Sequence, residues 1–387
     1  MTTNFRRITS QKRFIPQIDG LRFVAILSVV LFHLYASLNH DGAVLNSGFD
    51  PVNIGILSKR GVELFFVISG FILGVPFASS YLLGAPKINL KQYFLRRLTR
   101  LEPPYILSLL FWAAILFVVA RQSGREILPH LLASMAYLHN LIYNSDSTIN
   151  VVAWSLEVEV QFYVLVPLLA GIFAIADSRI RRSVIVILML ASAVLGGQLL
   201  HTRLQASVLY YLPLFLAGFL LCDLYVTRRD WKASWAWDVA ALCGWPLVWY
   251  LSPAWSHFLL PFIIVVLYLA AFRGRFCSKL FSHPVITDIG GMCYSLYLFH
   301  FLIISSVCRI SKPVHFGHNF WAYYLLQAVL VLPVVLILCG VFFLLVERPC
   351  MDRDWPRKLW NRLFVPPPTP VAGTIAKSYD GLPPMLP

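Results

Sequence analysis

Arg22 and His33 stand eleven residues apart in an otherwise apolar run, IDGLRFVAILSVVLFH. On an α-helix that spacing is about 1100°, three turns plus roughly 20°, so both fall on one stripe about 16 Å apart along the axis. A guanidinium near one end suits an anion, and an imidazole, with an ordinary pKa near 6.5, suits proton transfer. The plainer alternative makes Arg22 a snorkelling anchor and His33 a helix-packing donor. A second apolar run, GVELFFVISGFILG, contributes Glu63, Phe65, Phe66, Ser69 and Gly70, and Gly70 with Gly74 forms the GxxxG of close helix packing. In WSLEVEVQFYVLVP, Trp154 and Ser155 precede Glu157 and Glu159. These two carboxylates are about 200° apart on a helix, so one is expected to face the interior and the other the headgroups. Tyr297 and His300, in CYSLYLFH, share a helix face, and FLRRLTRLEPPY groups Arg96, Arg97 and Arg100 before Pro103 and Pro104. That basic group reads either as a positive loop or as a polyphosphate clamp, for which guanidinium forks are well shaped.

The elements that position these groups must be membrane helices. The 387 residues are 58% hydrophobic and 13% charged, with mean hydropathy +0.71. That composition excludes a water-soluble globular domain and a disordered chain, and spans of about 20 apolar residues suffice to cross a bilayer. Ten crossings are expected near 22–40, 61–83, 105–120, 153–176, 184–201, 208–226, 235–251, 257–272, 286–308 and 323–346. With the N-terminus inside, only Lys59, Arg60, Arg121, Arg125, Arg203, Arg309 and Lys312 of the 32 Lys and Arg remain outside, so both termini are expected to be cytoplasmic. The net charge of +14 is then topology and not a nucleic-acid footprint. The first apolar run contains Arg22 and His33 and lacks a small-residue cleavage site, so it does not read as a signal peptide.

The stretch 128–142 is apolar but short, and reads as interfacial or re-entrant on the outer side rather than as an eleventh crossing. The organisation expected is a cytoplasmic segment 1–20, a transmembrane domain 21–350, and a cytoplasmic proline-rich tail 351–387, disordered from Val365. Seven cysteines, five of them in expected helices, imply no disulfide framework. No CxxC, HExxH or Walker loop is present, and His315 and His318 read as ordinary loop residues, so no metal is expected. Ionisable side chains within a crossing cost a few kcal/mol on insertion scales and therefore face the bundle interior. Counted from the outer helix ends, His33, Ser69, Glu159 and His300 all fall about 9–14 Å deep. This level suggests a polar cavity in the outer half, with Arg96, Arg97 and Arg100 ringing the inner mouth.

Six motifs, from Arg22–His33 through GVELFFVISGFIL, FLRRLTRLEPPY, WSLEVEVQFYVLVP and CYSLYLFH to the LVERP of Glu347, Arg348 and Pro349, resemble in order the bacterial acyltransferase 3 family of integral-membrane acyltransferases. The resemblance runs from Arg13 to Pro349. It implies an all-α polytopic bundle of about ten helices in the bacterial plasma membrane. The implied reaction moves an acyl group, usually acetyl, from cytoplasmic acyl-CoA as co-substrate to a carbohydrate hydroxyl, with no bound cofactor. Acceptors in the family include O-antigen, exopolysaccharide and peptidoglycan. Its Arg/Lys-x10-His signature falls on Arg22 and His33, its phenylalanine-serine-glycine motif on Phe65, Phe66, Ser69 and Gly70, and its carboxylate on Glu159, with Glu157 as an extra. Glu63 stands where members often carry Asp. Some relatives add an esterase-like domain, where this sequence has the proline-rich tail.

On that resemblance the expected catalytic residues are His33, Glu159, Arg22 and Ser69. Arg96, Arg97 and Arg100 are expected to hold acyl-CoA, and Glu63, Phe66, Trp154, Tyr297 and His300 to line the acceptor cavity. His33 serves either as general base or as a transient acyl carrier, Glu159 orients it, and Ser69 donates a hydrogen bond. A secondary exporter of glycans or lipids is the main non-enzymatic alternative, because polar groups at mid-depth also mark transporters.

Overall fold

In the computed structural model the described residues are 5, 7, 8, 14–39, 52–200, 202–228, 231–314, 320–352 and 354–364, with backbone only at 52–59, 253–254 and 362–363. His315, His318 and the tail from Val365 lie outside them. Among the described residues the chain is helical with no strand, and the helices follow in order as α1 (Pro16–Asn39), α2 (Val52–Leu83), α3 (Leu90–Val118), α4 (Gly124–Met135), α5 (His139–Tyr143), α6 (Trp154–Leu169), α7 (Ser178–Gln198), α8 (Val208–Thr227), α9 (Trp235–Tyr250), α10 (Pro253–Arg273), α11 (Arg275–Phe281), α12 (Pro284–Gly291), α13 (Cys293–Ser311) and α14 (Phe320–Phe342). A π-helical turn, Phe343–Glu347, carries α14 into α15 (Arg348–Cys350), and α16 (Trp355–Phe364) follows.

Nine helices among the described residues, not ten, are long and apolar enough to cross a membrane, which makes the chain an all-α polytopic membrane protein. The one that falls short is α9, whose 16 residues extend only about 24 Å. It nevertheless traverses the bundle. At its start, Ser234 N–H donates to Arg273 O, and the Arg273 guanidinium reaches the Arg228 and Trp231 carbonyls, joining the ends of α8 and α10. At its far end the Leu251 carbonyl accepts from Arg60, near the opposite end of the bundle. Its two ends therefore lie toward opposite ends of the bundle although it is shorter than the sequence suggests. The crossing expected at 286–308 is broken at Met292 into α12 and α13.

The basic segment FLRRLTRLEPPY is not a loop. Asn89 caps α3 by accepting from Gln92 N–H, and the helix runs through both prolines. A proline inside a helix frees the carbonyl four residues earlier, which within a membrane needs another donor. Thr99 O, freed by Pro103, accepts from the Trp355 indole at 2.9 Å. Tyr163 O, freed in the same way by Pro167 in α6, accepts from Tyr93 OH at 3.1 Å.

The stretch 128–142 forms a re-entrant hairpin. α4 descends along α3 to Tyr105, whose ring stacks on Tyr137 at 4.8 Å and whose hydroxyl donates to Ser134 O. Tyr137 and Asn144 adopt positive φ, of 57° and 55°, and so turn the chain back into α6. Glu157 anchors this turn. It is fully buried and accepts from Asn140 N–H at 2.9 Å. The expectation that one of the two α6 carboxylates faces the headgroups is thus corrected, since non-helical backbone at this depth needs a protein acceptor or donor and Glu157 supplies it.

Two apolar hubs hold the bundle together. One gathers Phe66, Phe71, Phe162, Phe215, Phe219 and Tyr268 from α2, α6, α8 and α10. The other gathers Tyr105, Trp112, Leu298, Val331 and Phe343 from α3, α13, α14 and the π-helical turn. α1 and α6 belong to both, with Ala25 and Phe162 in the first and Ile26 and Leu156 in the second. The seam therefore runs along the two helices that carry Arg22, His33 and Glu159. In the first hub α2 and α8 meet glycine to glycine. A Cβ at Gly70 would lie 2.2 Å from Phe215 O, and one at Gly218 would lie 2.5 Å from Val67 O.

Candidate active site

At one end of the seam His33 on α1 faces His300 on α13, their ring centroids 5.1 Å apart. Phe32 and Phe301 meet the His33 ring edge-on, each at 5.2 Å. His300 Nδ1 lies 2.8 Å from Leu296 O and 2.9 Å from Tyr297 O. Carbonyls only accept, so Nδ1 carries the proton and Nε2 presents a lone pair. That Nε2 is buried with no hydrogen-bond partner among the described residues. One turn back along α13, Tyr297 OH bonds Ser155 Oγ at 2.9 Å and so ties α13 to the start of α6.

A helical turn further along α6, Glu159 accepts from Ser69 Oγ at 2.6 Å. Its carboxylate also interacts with Tyr163 and with Arg22. The four groups that helix counting sets at one level are therefore two pairs in steps, His33 with His300 and Ser69 with Glu159. The reason is that the helix ends are not coplanar, since α2 begins at Val52 and α6 follows the re-entrant hairpin. The His33 ring packs against His300, while Glu159 is engaged by Ser69. Ser69 thus spends its hydroxyl hydrogen on the Glu159 carboxylate.

Beyond Glu159 lies a guanidinium cluster. Arg22 donates to Asp19 Oδ1 at 2.9 Å, and Arg7 Nε lies 3.1 Å from Asp19 Oδ2. Arg22 is thus ion-paired inside the protein, not snorkelling to headgroups. Arg100 interacts with Arg22 and with Glu347. Glu347 is buried and accepts from Ser295 N–H at 2.9 Å and Ser295 Oγ at 2.5 Å, capping the first turn of α13. Arg97 turns to a different face, with its guanidinium 4.1 Å from the Tyr93 ring centroid and 5.5 Å from that of Tyr163. The Nε–H groups of Arg96 and Arg97 are buried without an acceptor among the described residues. Arg22, His33, Ser69, Glu159, Tyr163, Arg100 and Cys293 all keep partial exposure deep in the bundle, so the polar groups border interior space from the cluster to the histidine pair.

The five residues expected around an acceptor divide between two places. Tyr297 and His300 belong to the histidine end. Glu63 pairs with Arg60 at 2.8 Å and, with Tyr210, Tyr211 and His257, lines a small pocket between α2, α8 and α10. Phe66 and Trp154 both pack on Tyr211, at 4.8 and 5.7 Å. A larger cavity of about 370 Å³ opens between α3 and α6, walled mainly by apolar side chains, with Arg97, Glu102, Tyr137 and Tyr163 on its lining. Sequence reasoning passed over Arg7, Asp19 and Tyr163 as site residues. Asp19, three residues before Arg22, carried an i,i+3 pairing signal; Arg7 carried none.

The acyltransferase 3 family, described as an acyltransferase domain, matches residues 15–344. A Bacillus subtilis protein provisionally named peptidoglycan O-acetyltransferase YrhL is 26% identical over 92% of this chain and 58% of its own length. O-acetyltransferase OatA of Staphylococcus aureus is 25% identical over 78% of this chain and 53% of its own. The chain thus spans just over half the length of these relatives. No solved structure matches it. The matched region takes in α1 through α14 and with them the histidine pair, the Ser69–Glu159 pair and the Arg22–Asp19 pair, and the chain belongs to the acyltransferase 3 family of acyltransferases.

Proposed function

We propose that this chain is an O-acetyltransferase of the bacterial plasma membrane that moves an acetyl group from cytoplasmic acetyl-CoA to a hydroxyl of a cell-surface carbohydrate. The observation that carries the reading is the polar seam, in which a guanidinium cluster at the cytoplasmic end leads past Glu159 to the His33–His300 pair. Arg22, Arg96 and Arg100 are suited to the donor's phosphates, and the pantetheine arm is long and narrow enough to follow the seam. The relative provisionally named a peptidoglycan O-acetyltransferase supports the carbohydrate acceptor, and OatA, named an O-acetyltransferase, supports the reaction.

In this reading the thioester carbonyl meets the acceptor hydroxyl beside His33. His300, its tautomer fixed by two carbonyls, packs its ring against His33 with its Nε2 lone pair unpartnered among the described residues, and His33 serves as the general base. His33 takes the hydroxyl proton as the oxygen attacks the carbonyl carbon. The C–S bond then breaks, and the proton passes to the departing thiolate. Glu159, fixed by Ser69, stabilises the transient imidazolium and balances Arg22.

The test is transfer of label from acetyl-CoA, by membranes containing the full chain, into extracted glycans, with His33→Ala and Arg22→Ala beside wild type. Base-labile label that disappears with His33→Ala supports the reading. Well-expressed wild-type protein that transfers none to acceptor-rich membranes overturns it.

A further inference from the structure

Arg7 is a largely buried cation that the proposed mechanism does not use. Its side chain is 10% exposed, although it precedes the first membrane helix by nine residues. Two glycines make the bed for this segment. Gly340 faces the Phe5 ring, where a Cβ would come within 3.4 Å, and Gly291 faces Arg7 Cβ and Phe5 O at 3.8 Å.

The position is electrostatically costly. Asp19 is the carboxylate Arg7 approaches, and Arg22 already holds its other oxygen with an aligned hydrogen bond. Arg7 Nε and Asp19 Oδ2 are close but out of line, so both atoms are buried without a hydrogen bond. Arg100 adds a third guanidinium, and the carboxylate nearest to it, Glu347, spends one oxygen on Ser295. Arg7, Arg22 and Arg100 each couple electrostatically to the Cys293 thiol at the start of α13, which keeps partial exposure. Burial, and then Arg22 beside it, lowers the Arg7 pKa to about 9 in spite of Asp19 alongside.

We infer that Arg7 binds a phosphate of the acyl donor, completing with Arg22 and Arg100 a three-guanidinium site beside Asp19. The inference rests on the acyl-CoA reading above and adds to it a residue outside the matched family region, which begins at residue 15. Guanidinium forks match phosphate oxygens two at a time, and a bound dianion removes the mutual repulsion of the three cations. A phospholipid headgroup offers the same chemistry, so the test separates the two sources.

The full chain in phosphatidylcholine nanodiscs is titrated calorimetrically with coenzyme A and with pantetheine, its phosphate-free part, as wild type, Arg7→Gln and Arg7→Lys. For Arg7→Gln the Kd for coenzyme A should rise about tenfold or more while pantetheine binding stays unchanged. In turnover the KM for acetyl-CoA should rise with kcat retained, a split that general loosening of the fold would not give. Wild-type affinity for coenzyme A in Arg7→Gln overturns the inference. So does retained coenzyme A affinity combined with loss of thermal stabilisation by phosphatidylglycerol, which assigns the anion to a headgroup. Should Arg7→Gln fail to fold, Arg7→Lys decides, because it keeps the charge and loses the fork: a Kd raised about threefold or more supports the inference and an unchanged Kd overturns it. Wild-type protein that binds no coenzyme A sinks the donor reading itself, a result distinguishable from any confined to the variants.

Discussion

Removing the Ser69 hydroxyl separates two roles that differ greatly in size. Ser69 Oγ donates to Glu159 at 2.6 Å, a charge-assisted bond in an interior that retains only partial exposure. Bonds to charged groups contribute about 1.5–3 kcal/mol. At 1.36 kcal/mol per factor of ten, Ser69→Ala should lower kcat/KM by about 10- to 150-fold if the bond's contribution is realised in the transition state. A serine nucleophile would behave differently, because deleting the attacking atom typically costs about 10⁴-fold or more. Initial rates of label transfer from acetyl-CoA, normalised to the amount of folded protein, give the ratio. Ser69→Thr, which keeps a hydroxyl, should recover part of the loss. Activity that vanishes in Ser69→Ala while the protein remains folded refutes the donor assignment, and activity equal to wild type refutes any role for the bond.

Glu157→Ala leaves the Asn140 N–H without its acceptor and should cost about 1–3 kcal/mol, read as faster hydrogen exchange and proteolysis across 124–143, with Glu157→Gln milder. Gly70→Ala drives a Cβ to 2.2 Å from Phe215 O and should cost about 3 kcal/mol or prevent folding, whereas Gly197→Ala, with nothing within 4 Å, should raise the thermal midpoint by the equivalent of about 0.5–1 kcal/mol. Trp355→Phe removes the donor to the carbonyl freed by Pro103 and should lower stability by about 1 kcal/mol, measured by thermal unfolding in detergent.

The membrane helices were legible because a long apolar run is sufficient to define one. Depth counting likewise placed His33 level with His300, whose rings lie 5.1 Å apart. Features that depend on distant partners were not legible. Pro103 and Pro104 read as the boundary of a helix, but α3 runs through them because Trp355, more than 250 positions away, satisfies Thr99 O. Glu157 and Glu159 look equivalent in sequence, and only their partners, Asn140 and Ser69, make one an anchor for the hairpin and the other part of the polar seam. Arg7 sits in an ordinary polar N-terminal stretch, and the groups it packs beside, Asp19 and Gly291, lie on α1 and α12.

The central claim is that the donor enters at the guanidinium cluster and its acetyl group leaves beside His33, across the bundle. Sealed proteoliposomes holding a soluble glycan inside, with labelled acetyl-CoA supplied only outside and the fraction of chains in each orientation known, test it most directly. The account expects base-labile label on the enclosed glycan in proportion to chains whose Arg22 end faces outward, and none with His33→Ala. Label that reaches only glycan on the same side as acetyl-CoA, or that persists with His33→Ala, would contradict it.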